Sequence, residues 1–244
     1  LQEEVKKRDH RKLGEHLGLF HFEDMAPGAA FWHGKGMIIW RELEKFMREK
    51  LDREDYQEVS TPVMVKKEVF EKSGHWDYYR NNMFYFPNPK EPKEIYALKP
   101  MNCPESTYIY NFKIRSYRDL PLRLSEITDR LHRNELSGTI GGLFRVRQMT
   151  QDDAHIYCRP DQIENEVKKL IDLGKEVYGV FDLPLSFKFA TKPDEAMGDS
   201  ELWDKAEKSL EKVLKNSKIK YEVKPKDGAF YGPKIDIHIN DSLG

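Results

Sequence analysis

Stretches with apolar residues at helical spacing alternate along the chain with short strand-like runs. Ile38, Ile39, Leu43, Phe46, Met47 and Leu51 recur every three or four positions and predict a helix over 36–51. Ile163, Val167, Leu170, Ile171, Val177, Tyr178 and Phe181 predict another over 161–181, with Asp161 and Glu164 placed as a capping box. Helical composition also marks 2–16, 66–73, 102–113 and 200–215. Strands are expected at YQEVSTPVM, MFYF, EIYALKP, PLRLSEI, LHRNEL, FRVRQMTQ, DAHIYC, LSFKFA, IKYEV and KIDIHI. Pro62 within the first of these marks an edge, a strand end or an interface, because proline cannot donate to a ladder. Consecutive strands with helices between the runs predict an α+β fold with a largely antiparallel sheet.

Composition narrows the function classes. A length of 244 residues suits one large domain or one domain with an appendage. Lys+Arg 41 against Asp+Glu 42 leaves a net charge of −1, so bulk charge points to neither nucleic acid nor membrane, and a polyanion must be met by a local patch. No apolar run approaches the roughly 20 residues of a membrane span. Two cysteines, Cys103 and Cys158, are too few for a disulfide framework, so a reduced, cytoplasmic chain is expected. The opening LQEEVKKRDHRKLG, without Met, and the ending HINDSLG both read as positions inside a longer polypeptide.

Chemistry concentrates in residues 131–158. On strands, Arg133 and Glu135 would share a face, as would Arg145, Arg147, Gln151 and Asp153. Such a face is either a solvated lattice of cross-strand ion pairs or a platform on which Arg binds phosphate bidentately. The loop SGTIGG between these strands has neither the Lys-Ser/Thr of a P-loop nor the spacing of a dinucleotide fingerprint, and reads as a flexible hairpin loop. Cys103 and His155 have no local metal-ligand spacing; by themselves they read as a buried thiol and a hydrogen-bonded core histidine rather than a metal pair.

The stretches APGAAFWHGKG, YQEVSTP, KSGHWDYY, LKPMNCP, SYRDLPLR, HRNE, RVRQMTQDDAHIYC and GAFYGPKIDIHI, in this order, resemble the catalytic core of class II aminoacyl-tRNA synthetases, most closely those specific for threonine. The resemblance implies the class II antiparallel β-sheet flanked by helices. It also implies a connector helix over 1–20 from an upstream region, and a catalytic domain over 21–244 ending before motif 3 and the anticodon-binding domain. It assigns helix 36–51 and the strand ending at Pro62 to motif 1, the homodimer element, and HRNE to motif 2. Arg133 would then clamp the α-phosphate of ATP and the substrate carboxylate, Glu135 would approach adenine, and Arg145 would reach the outer phosphate with Mg²⁺. Cys103 and His155 match two of three zinc ligands, the third lying outside this sequence; the zinc of such enzymes binds the amino group and hydroxyl of threonine. Met101, Gln151, Asp153, Tyr231 and Lys234 match the amino-acid and ATP pocket, with Lys234 supplying supporting charge. His75 matches a histidine implicated in transfer to threonine tRNA.

Two positions depart from the pattern: Met149 stands where an aromatic residue usually stacks on adenine, and Leu136 replaces a common proline of the motif 2 turn. The implied activity is ATP-dependent formation of threonyl-adenylate and its transfer to tRNA. A non-catalytic class II-like regulator that binds nucleotide or RNA is the alternative, and the complete set Cys103, His155, Gln151, Asp153 and Lys234 speaks against it. A zinc hydrolase would need a metal-bound water and a base, for which only Asp153 is a candidate.

Overall fold

The computed structural model describes residues 7–127, 130–135 and 141–240. Helix α1 (His10–His16) starts where Asp9 Oδ1 accepts the Arg11 N–H at 3.0 Å, so the expected helix over 2–16 is broken before His10. Residues 2–6 lie outside the described residues. Strands β1 (Phe20–Phe22) and β2 (Ala30–Trp32) form an antiparallel ribbon that leads into helix α2 (Gly34–Arg53), longer at both ends than the periodicity predicts. Gly36 is required near its start, because a Cβ there would come within 2.1 Å of the Leu19 carbonyl oxygen. Only Leu51 among the predicted apolar stripe is buried; Ile38, Ile39 and Leu43 are 44–56% exposed.

YQEVSTPVM divides into β3 (Gln57–Glu58) and β4 (Met64–Lys66), with Pro62 in the gap between them. Helices α3 (Lys67–Lys72) and α4 (His75–Tyr79) follow, then β5 (Phe84–Pro87) and β6 (Ile95–Leu98), which join β4 in the order β4-β6-β5 over a core of Phe70, Met83 and Ala97. Helix α5 (Cys103–Asn111) leads to β7 (Leu122–Ile127). Motif 2 departs from expectation. Its strands are only β8 (Leu131–His132) and β9 (Gln148–Met149), so Arg133, Glu135, Arg145 and Arg147 lie outside regular strands. The Arg147 N–H, which a continued ladder would turn to the Arg133 carbonyl, donates instead to the Gly28 carbonyl (2.8 Å), while the outward-facing His132 N–H donates to the Lys99 carbonyl (3.1 Å). Leu136 and residues 137–140 of the Gly-rich loop lie outside the described residues. Strand β10 (Asp152–Tyr157) runs antiparallel to β7, which pairs in parallel with β3.

Residues up to Tyr157 cluster as one unit and residues from Cys158 onward as a second. In the second, a 3-10 turn (Pro160–Gln162) precedes α6 (Ile163–Gly179). The expected Asp161–Glu164 box is replaced: Arg159 N–H donates to Gln162 Oε1 at 2.9 Å, and the Asp161 carboxylate is taken by the Arg159 guanidinium. Strand β11 (Leu185–Ala190), helix α7 (Ser200–Asn216), strand β12 (Tyr221–Lys224) and strand β13 (Lys234–Ile239) follow. Central β11 pairs in parallel with β12, across the α7 connection, and antiparallel with β13. Ile171, Phe187, Phe189, Val213 and Leu214 form the core, as the 3.6 and 2.0 periodicities require. Among the described residues the fold is α+β, with mostly antiparallel pairing distributed over several small sheets.

Candidate functional site

Segment 99–106 is stitched along the paired strands β7 and β10 by three sets of bonds. Lys99 Nζ donates to Glu126 Oε1 (3.0 Å), Thr61 Oγ1 (2.8 Å) and the Thr61 carbonyl (3.1 Å), and Thr61 N–H reaches Glu126 Oε1 at 2.7 Å. Asn102 Nδ2 donates to Asp153 Oδ2 at 3.0 Å. Ser106 Oγ lies 2.8 Å from Tyr157 OH, whose ring stacks on Tyr110 at 4.3 Å. Asp153, His155 and Tyr157 share one face of β10 by the two-residue strand period. The bonds at Asn102 and Ser106 therefore bracket Cys103, as Asp153 and Tyr157 bracket His155. The two residues that lacked any sequence spacing for a metal pair thus belong to facing segments.

Burial, and then the nearby Asp153 carboxylate, push the Cys103 thiol up to about 12. A thiolate there needs a cation beside it. Among the described residues, however, no group of three His, Cys, Asp or Glu side chains is placed to hold a metal ion. Cys103 and His155 suit zinc by donor type, but two donors do not complete a tetrahedral site. Sequence reasoning missed Glu105: it is 4% exposed, neither carboxylate oxygen has a hydrogen-bond partner, and burial raises its carboxyl to about 7. Lys99 and Glu126 were missed too; the signal was a lysine closing the apolar run EIYAL. Gln151 turns back, its Nε2 donating to Met149 Sδ at 3.6 Å.

On the β8–β9 hairpin, Arg133 N–H donates to the Arg147 carbonyl (2.8 Å), continuing the ladder beyond the short strands. Arg133 Nε is buried without a hydrogen-bond partner, and so is Arg147 Nε. Arg145 Nη2 meets Glu135 Oε1 at 3.3 Å across the hairpin. The arginines of this segment are thus partly engaged in an ion pair, at Arg145, and partly left with a buried Nε donor that has no partner, at Arg133 and Arg147. Met149 lines a cavity of about 200 Å³ together with Trp32, Trp40, Leu143 and Val146.

His75 is 5% exposed, with Nδ1 2.9 Å from Ser73 Oγ, and burial lowers its pKa below the ordinary histidine value. It is neutral near pH 7. Protonating it in the fold is disfavoured, so its contribution to stability is present above about pH 6.5 and is lost as pH falls below that. In the second unit, Lys234 Nζ donates to both oxygens of Asp236 (3.1 and 2.9 Å), which counters part of its charge. Tyr231 is 60% exposed with its ring edge-on to Phe230.

Comparison with known proteins gives the family. The pattern of the tRNA synthetase class II core domain (G, H, P, S and T) matches residues 84–244. The threonine–tRNA ligase of Myxococcus xanthus is 48% identical over 242 residues, covering 99% of this chain and 38% of that protein. That of Anaeromyxobacter dehalogenans is 50% identical over 249 residues, again with 99% and 38% coverage. Among solved structures, the RNA binding domain of threonyl-tRNA synthetase from Cryptosporidium parvum superposes with a TM-score of 0.88 at 40% identity, covering 97% of this chain and 58% of that one. The chain therefore spans well under half the length of these curated relatives.

Proposed function

The chain belongs to the class II tRNA synthetase core family, and from that premise we propose that it is the core of an enzyme that activates threonine with ATP and transfers it to threonine tRNA. The observation that carries this reading is Arg133, whose Nε is buried and unpartnered on the hairpin that also holds Arg145 and Glu135. In adenylate formation a carboxylate must approach the α-phosphorus of ATP, so the main requirement is positioned positive charge. Arg133 would take the α-phosphate and the substrate carboxylate, and its planar donors suit both. Arg145 would exchange its Glu135 partner for the outer phosphates, with Mg²⁺ neutralising the pyrophosphate, and Glu135 so released would meet adenine, with Met149 packed on the ring. Asp153, held by Asn102, together with Met101 and Gln151, would line the part of the amino-acid pocket that the first unit supplies; Tyr231 and Lys234 of the second unit are assigned to substrate binding by the resemblance alone. Pyrophosphate exchange measured amino acid by amino acid tests the reading: exchange dependent on threonine supports it, and exchange dependent on none or on another amino acid overturns it.

Cys103 and His155 would supply thiolate and imidazole to a zinc ion, which would offer Lewis-acid recognition of the substrate hydroxyl. The described residues bring together two such donors rather than three. Zinc titrated into this chain is expected to bind weakly and to be stripped by a mild chelator; one firmly held equivalent would reveal a third donor. The exposed stripe Ile38, Ile39 and Leu43 on α2, the helix that Arg48 ties to Glu58 of β3, supports a homodimer through the region that includes Pro62. A cytoplasmic enzyme with a connector over 1–20 and one catalytic domain over 21–244 completes the proposal; among the described residues no helix is long and apolar enough to cross a membrane.

His75, neutral at cellular pH, would accept a proton as the terminal ribose hydroxyl attacks the adenylate. His75→Ala is expected to slow single-turnover transfer about 10²-fold while pyrophosphate exchange changes little. Equal loss of both steps would make His75 a packing residue.

A further inference from the structure

Helix α1 reaches the nucleotide hairpin through one side chain. His10 Nε2 accepts a hydrogen bond from the Leu143 N–H at 2.9 Å, across 133 positions of sequence. Leu143 sits in the turn that Gly141 and Arg145 close, and the turn's own backbone bonds are long: Gly141 N–H to the Arg145 carbonyl at 3.3 Å, and Arg145 N–H to the Gly141 carbonyl at 3.4 Å. The short bond to the turn comes from outside it. The approach requires glycine: Gly142 has φ +53°, and a Cβ there would lie 2.1 Å from His10 Nε2. The Phe144 ring meets the His10 ring edge-on at 4.5 Å.

The helix that carries His10 is itself fixed. Leu19 N–H bonds the Gly14 carbonyl at 2.7 Å, and Gly14 lies so close to the Phe20 ring of β1 that a Cβ would come within 2.5 Å. On the far side of the turn, Arg147 N–H is anchored on Gly28. Arg145 lies between these two anchors. We infer that His10 is a positioning residue for nucleotide binding, setting the 141–145 turn and thereby Arg145 for the phosphates of ATP.

This inference rests on the role proposed for Arg145. The chemistry of the bond supports it. Asp9 and Arg11, paired with each other at 2.7 Å, flank His10 in sequence, while among the described residues the turn and β1 present Gly142, Leu143, Phe144 and Phe20 to it. Burial holds its pKa below the ordinary histidine value, so the ring is neutral near pH 7 and Nε2 can accept.

The test uses the full-length protein with His10→Phe, which keeps a ring against Phe20 and Phe144 but has no acceptor, and His10→Gln, whose Oε1 can replace Nε2. His10→Leu serves as a second variant without an acceptor. The Phe and Leu variants are expected to raise KM for ATP about tenfold in pyrophosphate exchange, to leave KM for threonine within about twofold, and to speed amide exchange over 141–145. The Gln variant should return KM for ATP to within about threefold of wild type. Equal behaviour of Phe and Gln, an unchanged KM for ATP in both acceptor-free variants, or equal rises in both KM values would overturn the inference. If the wild-type protein shows no threonine-dependent exchange, the proposed function fails. ATP affinity by equilibrium dialysis then decides the His10 question by itself: weaker binding in Phe and Leu than in Gln upholds it, and equal or absent binding overturns it.

Discussion

Arg133→Ala in the full-length protein is expected to lower threonine-dependent pyrophosphate exchange by about 10²–10³-fold, the usual cost of removing one positioned donor from developing negative charge. Arg133 N–H belongs to the hairpin ladder, which alanine keeps, so the fold should tolerate the change. Its side-chain Nε has no hydrogen-bond partner to lose, so the loss should appear in catalysis rather than stability. Arg133→Lys should recover little, since an ammonium group cannot reproduce two parallel donors. Arg145→Ala provides the contrast. Its guanidinium is 43% exposed and paired with Glu135, so a smaller loss, weighted toward KM for ATP, is expected. An Arg133→Ala enzyme with unchanged exchange would remove the basis for the assignment.

The second large effect is on stability. Lys99→Met should destabilise the chain by about 3–5 kcal/mol, because it strands the buried Glu126 carboxylate. Lys99 is fully buried and Glu126 is 4% exposed at the side chain, so neither can turn to water. The double change Lys99→Met with Glu126→Gln should recover most of the loss: the amide oxygen still accepts from the Thr61 N–H and no unpaired charge remains. Urea unfolding of the three chains measures this, and a single-variant loss below about 1 kcal/mol would show that the pair is not what holds segment 99–106 to β7. Acid should act separately. Below about pH 6.5 the buried His75 and the half-buried His10, whose pKa values burial lowers, each favour the unfolded chain, which binds their protons more readily.

Local pattern carried much of the architecture. The periodicity of 161–181 and of 200–215 matches α6 and α7 closely because each buries one stripe on one sheet, so composition and position agree. LSFKFA and KIDIHI appear as β11 and β13 at the expected residues for the same reason. The quoted motifs also placed the chain in its family, because catalytic residue types in a fixed order are a property of sequence.

Long-range contacts decided the rest. No local signal distinguishes a lysine at a strand end from Lys99, whose partners Thr61 and Glu126 lie tens of residues away on either side. The shortness of β8 and β9 follows from Arg147 N–H bonding to Gly28, a remote acceptor that alternation of apolar and polar residues cannot reveal. Cys103 and His155 share no motif spacing; only the Asn102–Asp153 and Ser106–Tyr157 bonds set their segments face to face. Hydrophobic period is written in neighbouring residues, whereas a polar group's partner is whichever group the folded backbone carries to within about 3 Å of it.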